Sequence, residues 1–168
     1  MINRLRQTWR TFYNLPREQS IDEAMVGFKG RNAMKQYMPM KPTKRGFKVW
    51  CRCSPNGITN DCEVYEGSTK QAREANLSTA VVLGLPKYIY DKGHHLYFDN
   101  YFSSIDLAEE LLRHKTYCCG IARSNHRKYP ATLKKVTLKR GQQQSKLVGS
   151  VECFVWKDKK NIDFIQTP

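Results

Sequence analysis

The segment from Ser20 to Arg31 most constrains what this chain can fold into, because it reads as a β-strand with a carboxylate inside it. Its apolar residues are of the types that pack well on the pleated surface of a β-sheet. Side chains alternate across a strand, so Asp22 is predicted to share a face with Val26 and Phe28. A charge on a mainly apolar face is unfavourable unless it is paired, hydrogen-bonded or bound to a metal. The segment therefore raises the hypothesis of a metal site.

A second short apolar strand, His94–Phe102, carries Asp99. Two strand-borne aspartates far apart in sequence are a common basis for metal-dependent phosphoryl transfer, because Mg²⁺ takes one or two carboxylates and completes its shell with water and substrate phosphate. Asp22 and Asp99 would serve if their strands are neighbours. An aspartate at a strand end is also a common turn-former or hydrogen-bond acceptor, and the pattern alone leaves both interpretations open.

The charge balance indicates a polyanionic partner. The 168 residues, enough for one ordinary domain, include 29 Lys and Arg against 15 Asp and Glu, a net charge of +14. This excess favours nucleic acid first and an anionic membrane surface second, and a solvated basic surface is the simplest alternative. No run of 18 apolar residues exists, so no membrane span is predicted.

The cysteines and the N-terminus point to an intracellular protein. The first ten residues contain no apolar core of a secretory signal. The six cysteines match no zinc spacing and are interpreted as reduced thiols.

The order of elements predicts a mixed sheet with helices on it. Residues 32–47 contain two prolines and read as a surface loop in which Lys41, Lys44 and Arg45 form a cationic cluster. That cluster suits phosphate contact, nuclear localisation or plain solvation. The predicted elements are a helix within 1–19, strands at 20–31, 47–53 and 61–65, a helix at 71–92 broken near Pro86, a strand at 94–99, a helix from Ser103 to about His114, and a strand at 117–122.

The chain becomes basic and β-rich after Ala122. Residues 141–145 read as a polar loop, and 147–156 with 162–165 read as a hairpin whose turn is 157–161. The cations from Arg123 to Lys146 are the strongest candidates for phosphate contacts, because Lys and Arg neutralise backbone charge without reading sequence.

Four motifs occur in one order along the chain: Ser20–Glu23 with Gly27–Arg31, then Pro39–Gly46, Phe98–Ser104 and Gly120–Asn125. Together they resemble the motifs of the piggyBac family of DNA transposases, and the resemblance covers about Ser20 to Pro130 closely.

The resemblance implies an RNase H-like catalytic domain of the DDD type, an α/β fold with a mixed sheet and flanking helices followed by a β-rich insertion. In this family Asp22 and Asp99 would be the first two catalytic aspartates, both ligands of Mg²⁺ or Mn²⁺. Arg123 falls where the family carries a basic residue implicated in DNA contact. The nearby family lysine is replaced by His126, and Arg127 and Lys128 follow at once.

The resemblance also sets domain and function expectations. We expect a flanking helix in 1–19, a partial catalytic domain in 20–123 and a basic insertion in 124–168. The family's third aspartate, in a Gly-Gly-Val-Asp type motif, does not occur in this sequence. The C-terminal part of the catalytic fold is thus expected to be missing, and whether the chain is an enzyme stays open. The expected function is ancestral DNA strand cleavage and transfer; the alternative is a domesticated, non-catalytic module that binds DNA or protein. The expected partners are DNA and a second copy, and the expected location is the nucleus.

Overall fold

The computed structural model describes residues 2–67 and 77–168, and the chain divides into two compact units, Met1–Tyr88 and Ile89–Pro168. The first part of the helix predicted at 71–92 therefore lies outside the described residues. Within the described part of the chain, no helix has both the length and the apolar character needed to cross a membrane. The predicted domain bounds at 19/20 and 123/124 stay a prediction.

The first unit is built on an antiparallel sheet with β3 at its centre. Strand β3 pairs with β1, β2 and β4, and the three strands predicted at 20–31, 47–53 and 61–65 are confirmed as neighbours in this sheet. The elements of this unit are α1 (Ile2–Phe12), β1 (Glu18–Gly27), β2 (Gln36–Tyr37), β3 (Arg45–Cys53), β4 (Thr59–Val64) and α2 (Leu77–Gly84). Helix α2 ends just before Pro86, as predicted, because proline cannot donate to the helical ladder.

Strand β2 corrects the prediction that residues 32–47 form only a loop. Gln36 and Tyr37 pair with Gly46 and Arg45. Two paired residues are too few to show an alternating pattern, so the sequence gives no sign of this strand.

The face of β1 that carries Asp22 is exposed, so a charge on this mainly apolar face is less unfavourable than the sequence suggests. Gln19 and Ile21, on the opposite face, are each 1% exposed, whereas Val26 is 54% exposed. Solvent reaches the Asp22 side of the strand, so burial by itself does not demand a counter-ion there.

Helix α1 contacts the sheet through an arginine side chain. None of its residues is fully buried; Leu5 and Phe12 are exposed, and Ile2 and Trp9 are half-buried. The Arg6 guanidinium donates from Nε to Asp61 Oδ1 at 2.5 Å and from Nη2 to the Cys62 carbonyl at 2.8 Å. The predicted helix is confirmed, and its attachment includes an ionic contact with β4.

A buried polar network lies beneath that contact. Gln19 Oε1 accepts from Arg52 Nη1 and from Asn60 Nδ2, each at 2.8 Å. Asn60 also donates to Ser54 Oγ at 2.6 Å. Because these groups are removed from water, each depends on the others for its hydrogen bonds.

The second unit contains a mixed sheet in the order β5-β6-β9-β8-β7. Strands β5 and β6 are parallel, and the remaining neighbours are antiparallel. Helix α3 supplies the buried residues Ile105, Leu107, Ala108 and Leu111. The elements are β5 (His95–Phe98), α3 (Ile105–Arg113), β6 (Tyr117–Ile121), α4 (Ala131–Lys134), β7 (Gln143–Val148), β8 (Val151–Lys157) and β9 (Asn161–Gln166). The predicted α/β class with a mixed sheet and flanking helices is confirmed.

Two details of the C-terminal sheet differ from the prediction. Residues 141–145 are not simply a loop, because β7 begins at Gln143, and its side chains are mostly exposed as expected of an edge strand. The strand predicted at 147–156 is split by a turn at Gly149, whose φ of 60° is readily adopted by glycine. The β8–β9 hairpin and its turn are confirmed.

Helix α3 begins at a side-chain cap that can be tested directly. Ser104 Oγ accepts the Leu107 N–H at 3.2 Å. Replacing Ser104 with Ala is expected to lower the free energy of unfolding by about 1 kcal/mol, measured by urea denaturation. Ser124→Ala, in an exposed turn, serves as the control and is expected to change it by less than about 0.5 kcal/mol. Equal effects of the two substitutions would contradict the capping role.

Candidate metal and nucleic-acid sites

Asp22 lies within β1 on the exposed face of the first unit. Its Oδ1 accepts the Glu23 N–H at 2.7 Å, and in the sheet register it stands opposite Cys51. Because β1 is paired along its length with β3, the backbone that carries this carboxylate is firmly placed.

The thiol opposite Asp22 is protonated at neutral pH. Burial, followed by the nearby Cys53, Cys62 and Asp22, raises the pKa of Cys51 to about 12. All six cysteines are free in the structure.

Asp99 follows β5 immediately and organises the turn into α3. Its Oδ1 accepts the Tyr101 N–H at 2.9 Å, and its carbonyl accepts Ser103 Oγ at 2.9 Å. Its Oδ2 accepts no hydrogen bond from a described residue. The Asp99 side chain therefore shapes this turn, and it remains exposed to solvent.

A close backbone approach fixes the end of β5. Gly120 of β6 pairs with Phe98, and a Cβ at Gly120 would lie 2.8 Å from the Phe98 carbonyl oxygen and 2.5 Å from Ser103 Oγ. Only glycine fits at this distance, so the turn that carries Asp99 rests directly on β6.

Asp22 in the first unit and Asp99 in the second each carry oxygen ligands of the type that a hard cation prefers. Across residues 2–67 and 77–168, no three or more His, Cys, Asp or Glu side chains are grouped to hold an ion. Mg²⁺ usually takes one or two carboxylates together with water and substrate phosphates, so exposed Asp22 and Asp99 are suitable donors.

Arg123 is tied to the residue that follows Asp99. Its Nε and Nη2 lie 3.4 and 3.3 Å from Asn100 Oδ1. The guanidinium is exposed, and a planar fork of donors suits phosphate oxygens. Asn100 lies within the Phe98–Ser104 motif, but its contact with Arg123 was not predicted.

The other two cations predicted beside Arg123 differ in their surroundings. Arg127 is exposed. Lys128 forms an ion pair with Asp106, and the hydrogen bond to that carboxylate raises the pKa of the lysine. Lys128 is therefore partly neutralised before any phosphate arrives.

The three cations predicted in the loop before β3 also differ in how far their charge is already paired. Lys41 binds Glu23 Oε1 at 3.0 Å. Lys44 is exposed, and the Arg45 guanidinium lies 4.9 Å from the centre of the Tyr37 ring. Lys44 and Arg45 thus present more charge to solvent than Lys41 does.

Comparisons with known proteins agree on one family. The family model described as "Transposase IS4" matches residues 1–167. The chain is similar to human PiggyBac transposable element-derived protein 2, with 29% identity over 83% of this chain and 25% of that protein. It is also similar to human PiggyBac transposable element-derived protein 3, with 27% identity over 75% of this chain and 22% of that protein. The chain therefore spans about a quarter of these relatives' length.

A solved structure shows the same fold. It is a cryo-EM structure of a piggyBac transposase synaptic complex with hairpin DNA, and it superimposes with a TM-score of 0.83 and 28% identity. The match covers 96% of this chain and 37% of that one.

Proposed function

Because the chain belongs to the piggyBac family of transposases and transposase-derived proteins, we propose that it binds DNA and carries two ligands of a metal-dependent phosphodiester cleavage and strand-transfer site. The proposed ligands are Asp22 and Asp99. The solved relative is a transposase bound to DNA, and the net charge of +14 on this chain is of the sign that DNA requires.

The link from Asp99 through Asn100 to Arg123 is the observation that carries this proposal. Arg123 donates to Asn100, the residue that directly follows Asp99, so a proposed phosphate-binding cation lies beside a proposed metal ligand within one unit. A phosphate bound by Arg123 would lie at the turn that follows β5, next to the exposed carboxylate of Asp99. This combination of donors is the one that phosphoryl transfer uses.

The proposed roles of the residues follow from their surroundings. When bound, Mg²⁺ or Mn²⁺ supplies activation of a water or 3′-hydroxyl nucleophile and stabilises the leaving oxygen. The backbone of Asp22 lies in a paired strand, and the Asp99 carboxylate accepts the Tyr101 N–H of its turn, so each carboxylate would be presented from a defined position in its own unit. Arg123 and Arg127 bind and orient the DNA backbone, and Lys128, Lys44, Arg45 and Lys41 add charge to that binding.

Removing the two exposed arginines tests DNA binding. Arg123→Gln with Arg127→Gln is expected to weaken binding to duplex DNA at low salt uniformly across sequences. The slope of log K against log salt is expected to fall by about 1 for each DNA phosphate that is no longer neutralised by an arginine. Fluorescence anisotropy over a range of salt concentrations measures both quantities.

The control is Lys115→Gln with Lys92→Gln, which removes the same charge from exposed positions of the same unit. It is expected to leave most of the salt slope in place. If the two double variants lose affinity equally, net charge alone explains binding and the assignment of Arg123 and Arg127 fails.

A non-catalytic DNA-binding module is the second candidate. The names of both human relatives describe element-derived proteins, which favours it. The two candidates share DNA binding and differ in whether Asp22 and Asp99 bind a divalent ion. We further propose that the protein acts in the nucleus and as a homodimer; imaging of the tagged chain and light scattering test these points.

A further inference from the structure

Strands β8 and β9 present aromatic side chains on one face of the second unit's sheet. Val151, Cys153 and Val155 are each 0% exposed, so they define the covered face of β8. Phe154 and Trp156 alternate with them and point the other way. The residues Phe154, Trp156, Ile162 and Phe164 are here named the aromatic face.

Solvent reaches the aromatic face, most of all at Trp156. Trp156 is 37% exposed and stands between Gln143 and Ile162 in the register of the three strands. In the next row, the Phe154 and Phe164 rings stack at 4.8 Å with an angle of 8° between their planes. The two phenylalanines support the sheet beside Trp156, and the indole is the most accessible ring of the face.

Cations surround the end of the sheet where Trp156 lies. The tip cluster consists of Lys139, Arg140, Lys157, Lys159 and Lys160. Two backbone hydrogen bonds, from Gly141 N–H to the Lys157 carbonyl at 2.7 Å and from Lys157 N–H to the Gln142 carbonyl at 3.0 Å, tie its two segments together. Arg140 pairs with Asp158 at 2.9 Å, and the four lysines exceed that single carboxylate.

The opposite end of the same sheet face is acidic. Glu152 Oε2 accepts from Gln166 Nε2 at 2.6 Å, and hydrogen bonds from Ser145 and Gln166 lower the pKa of this carboxyl group. Glu152 is therefore ionised at neutral pH. Charge along the face thus changes from negative near Glu152 to positive beside Trp156.

We propose that the aromatic face and the tip cluster bind unpaired nucleotides of single-stranded nucleic acid. A base would stack on the Trp156 indole, and its phosphates would lie over the tip cluster and away from Glu152. Aromatic platforms beside a cationic track are the usual means of holding single strands, because every base has a π-face. An apolar peptide or a second copy of this basic chain would find no complement for the tip cluster. The proposal goes beyond the proposed function, since it involves neither Asp22, Asp99 nor Arg123.

Quenching of tryptophan fluorescence by short oligothymidylate is the direct test, because stacking on Trp156 quenches its emission. Trp156→Leu keeps an apolar side chain but removes the ring, and it is expected to weaken oligothymidylate binding about tenfold or more and to abolish most of the quenching. Trp156→Phe is expected to retain most of the affinity. Leu147→Ala, on the same sheet face and 65% exposed, is the control and is expected to bind as the parent chain does.

A second variant tests the proposed contact between the phosphates and the tip cluster. Lys159→Gln with Lys160→Gln is expected to weaken oligothymidylate binding and reduce its salt slope while leaving the sheet intact, as judged by circular dichroism. Unchanged affinity in both Trp156→Leu and the lysine pair would overturn the proposal. So would a dimer that forms with rising concentration and is lost in Trp156→Leu, because a second copy would then cover the face. Duplex binding by Arg123 and Arg127 is scored separately and does not affect this outcome.

Discussion

Replacing Asp61 with Asn is expected to lower the free energy of unfolding by about 3–5 kcal/mol, a large part of the stability of an ordinary domain. The Asp61 side chain is 5% exposed and lies 2.5 Å from Arg6 and 4.0 Å from Arg52. Burial lowers the pKa of Arg52 to about 10, which still leaves its guanidinium charged at neutral pH. Without Asp61, this buried charge loses its counter-charge. Equilibrium unfolding in guanidinium chloride measures the change.

Asp158→Asn is the matched control, because it also removes a carboxylate from an arginine, Arg140, whose side chain is exposed and not buried. We expect a loss of no more than about 1 kcal/mol there. Similar small losses in both variants would show that the Asp61 network adds little to stability, and that α1 is held to the sheet by other contacts.

Replacing Asp99 with Asn is expected to weaken Mn²⁺ binding at least about tenfold, because a hard cation loses an anionic ligand. Asn retains the side-chain oxygen that accepts the Tyr101 N–H, so the turn is expected to survive and the thermal midpoint to change little. Isothermal titration calorimetry measures the affinity. Asp106→Asn removes an exposed carboxylate from α3 that pairs with Lys128, and it is expected to leave Mn²⁺ affinity unchanged. Equal losses in both variants would indicate non-specific binding to surface charge.

Local patterns in the sequence located most of the regular structure. Alternation predicted β3, and the serine before Ile105 predicted the start of α3, because these signals depend only on neighbouring residues. Strand β7 was missed because its Gln143–Ser145 start is polar and lies at the sheet edge, where no buried side chains create alternation.

The orientation of β1 shows what local sequence patterns cannot predict. Alternation correctly placed Asp22 and Val26 on one face, but it could not tell which face would be covered. Gln19 is buried because it accepts hydrogen bonds from Arg52 and Asn60, residues more than 30 positions away. Such a network is tertiary, and it hides a polar side chain where hydrophobicity alone would expose it.

The candidate site was also only partly predictable, because its hydrogen bonds join residues far apart in sequence. The resemblance to a family supplied Asp22, Asp99 and Arg123 by their motifs, but their hydrogen bonds required the structure. Asn100 holds Arg123, and Asp106 partly neutralises Lys128. Neither contact joins neighbours in sequence, so neither left a readable pattern.

A double-mutant cycle of Mn²⁺ binding tests the central claim most directly. Affinity and stoichiometry would be measured by titration for the parent chain, Asp22→Asn, Asp99→Asn and the double variant. If both residues bind the same ion, each single variant loses most of the affinity and the double variant loses little more. Mn²⁺ binding that is unchanged in either single variant, or that is no tighter in the parent chain than in the double variant, would contradict the proposed metal site.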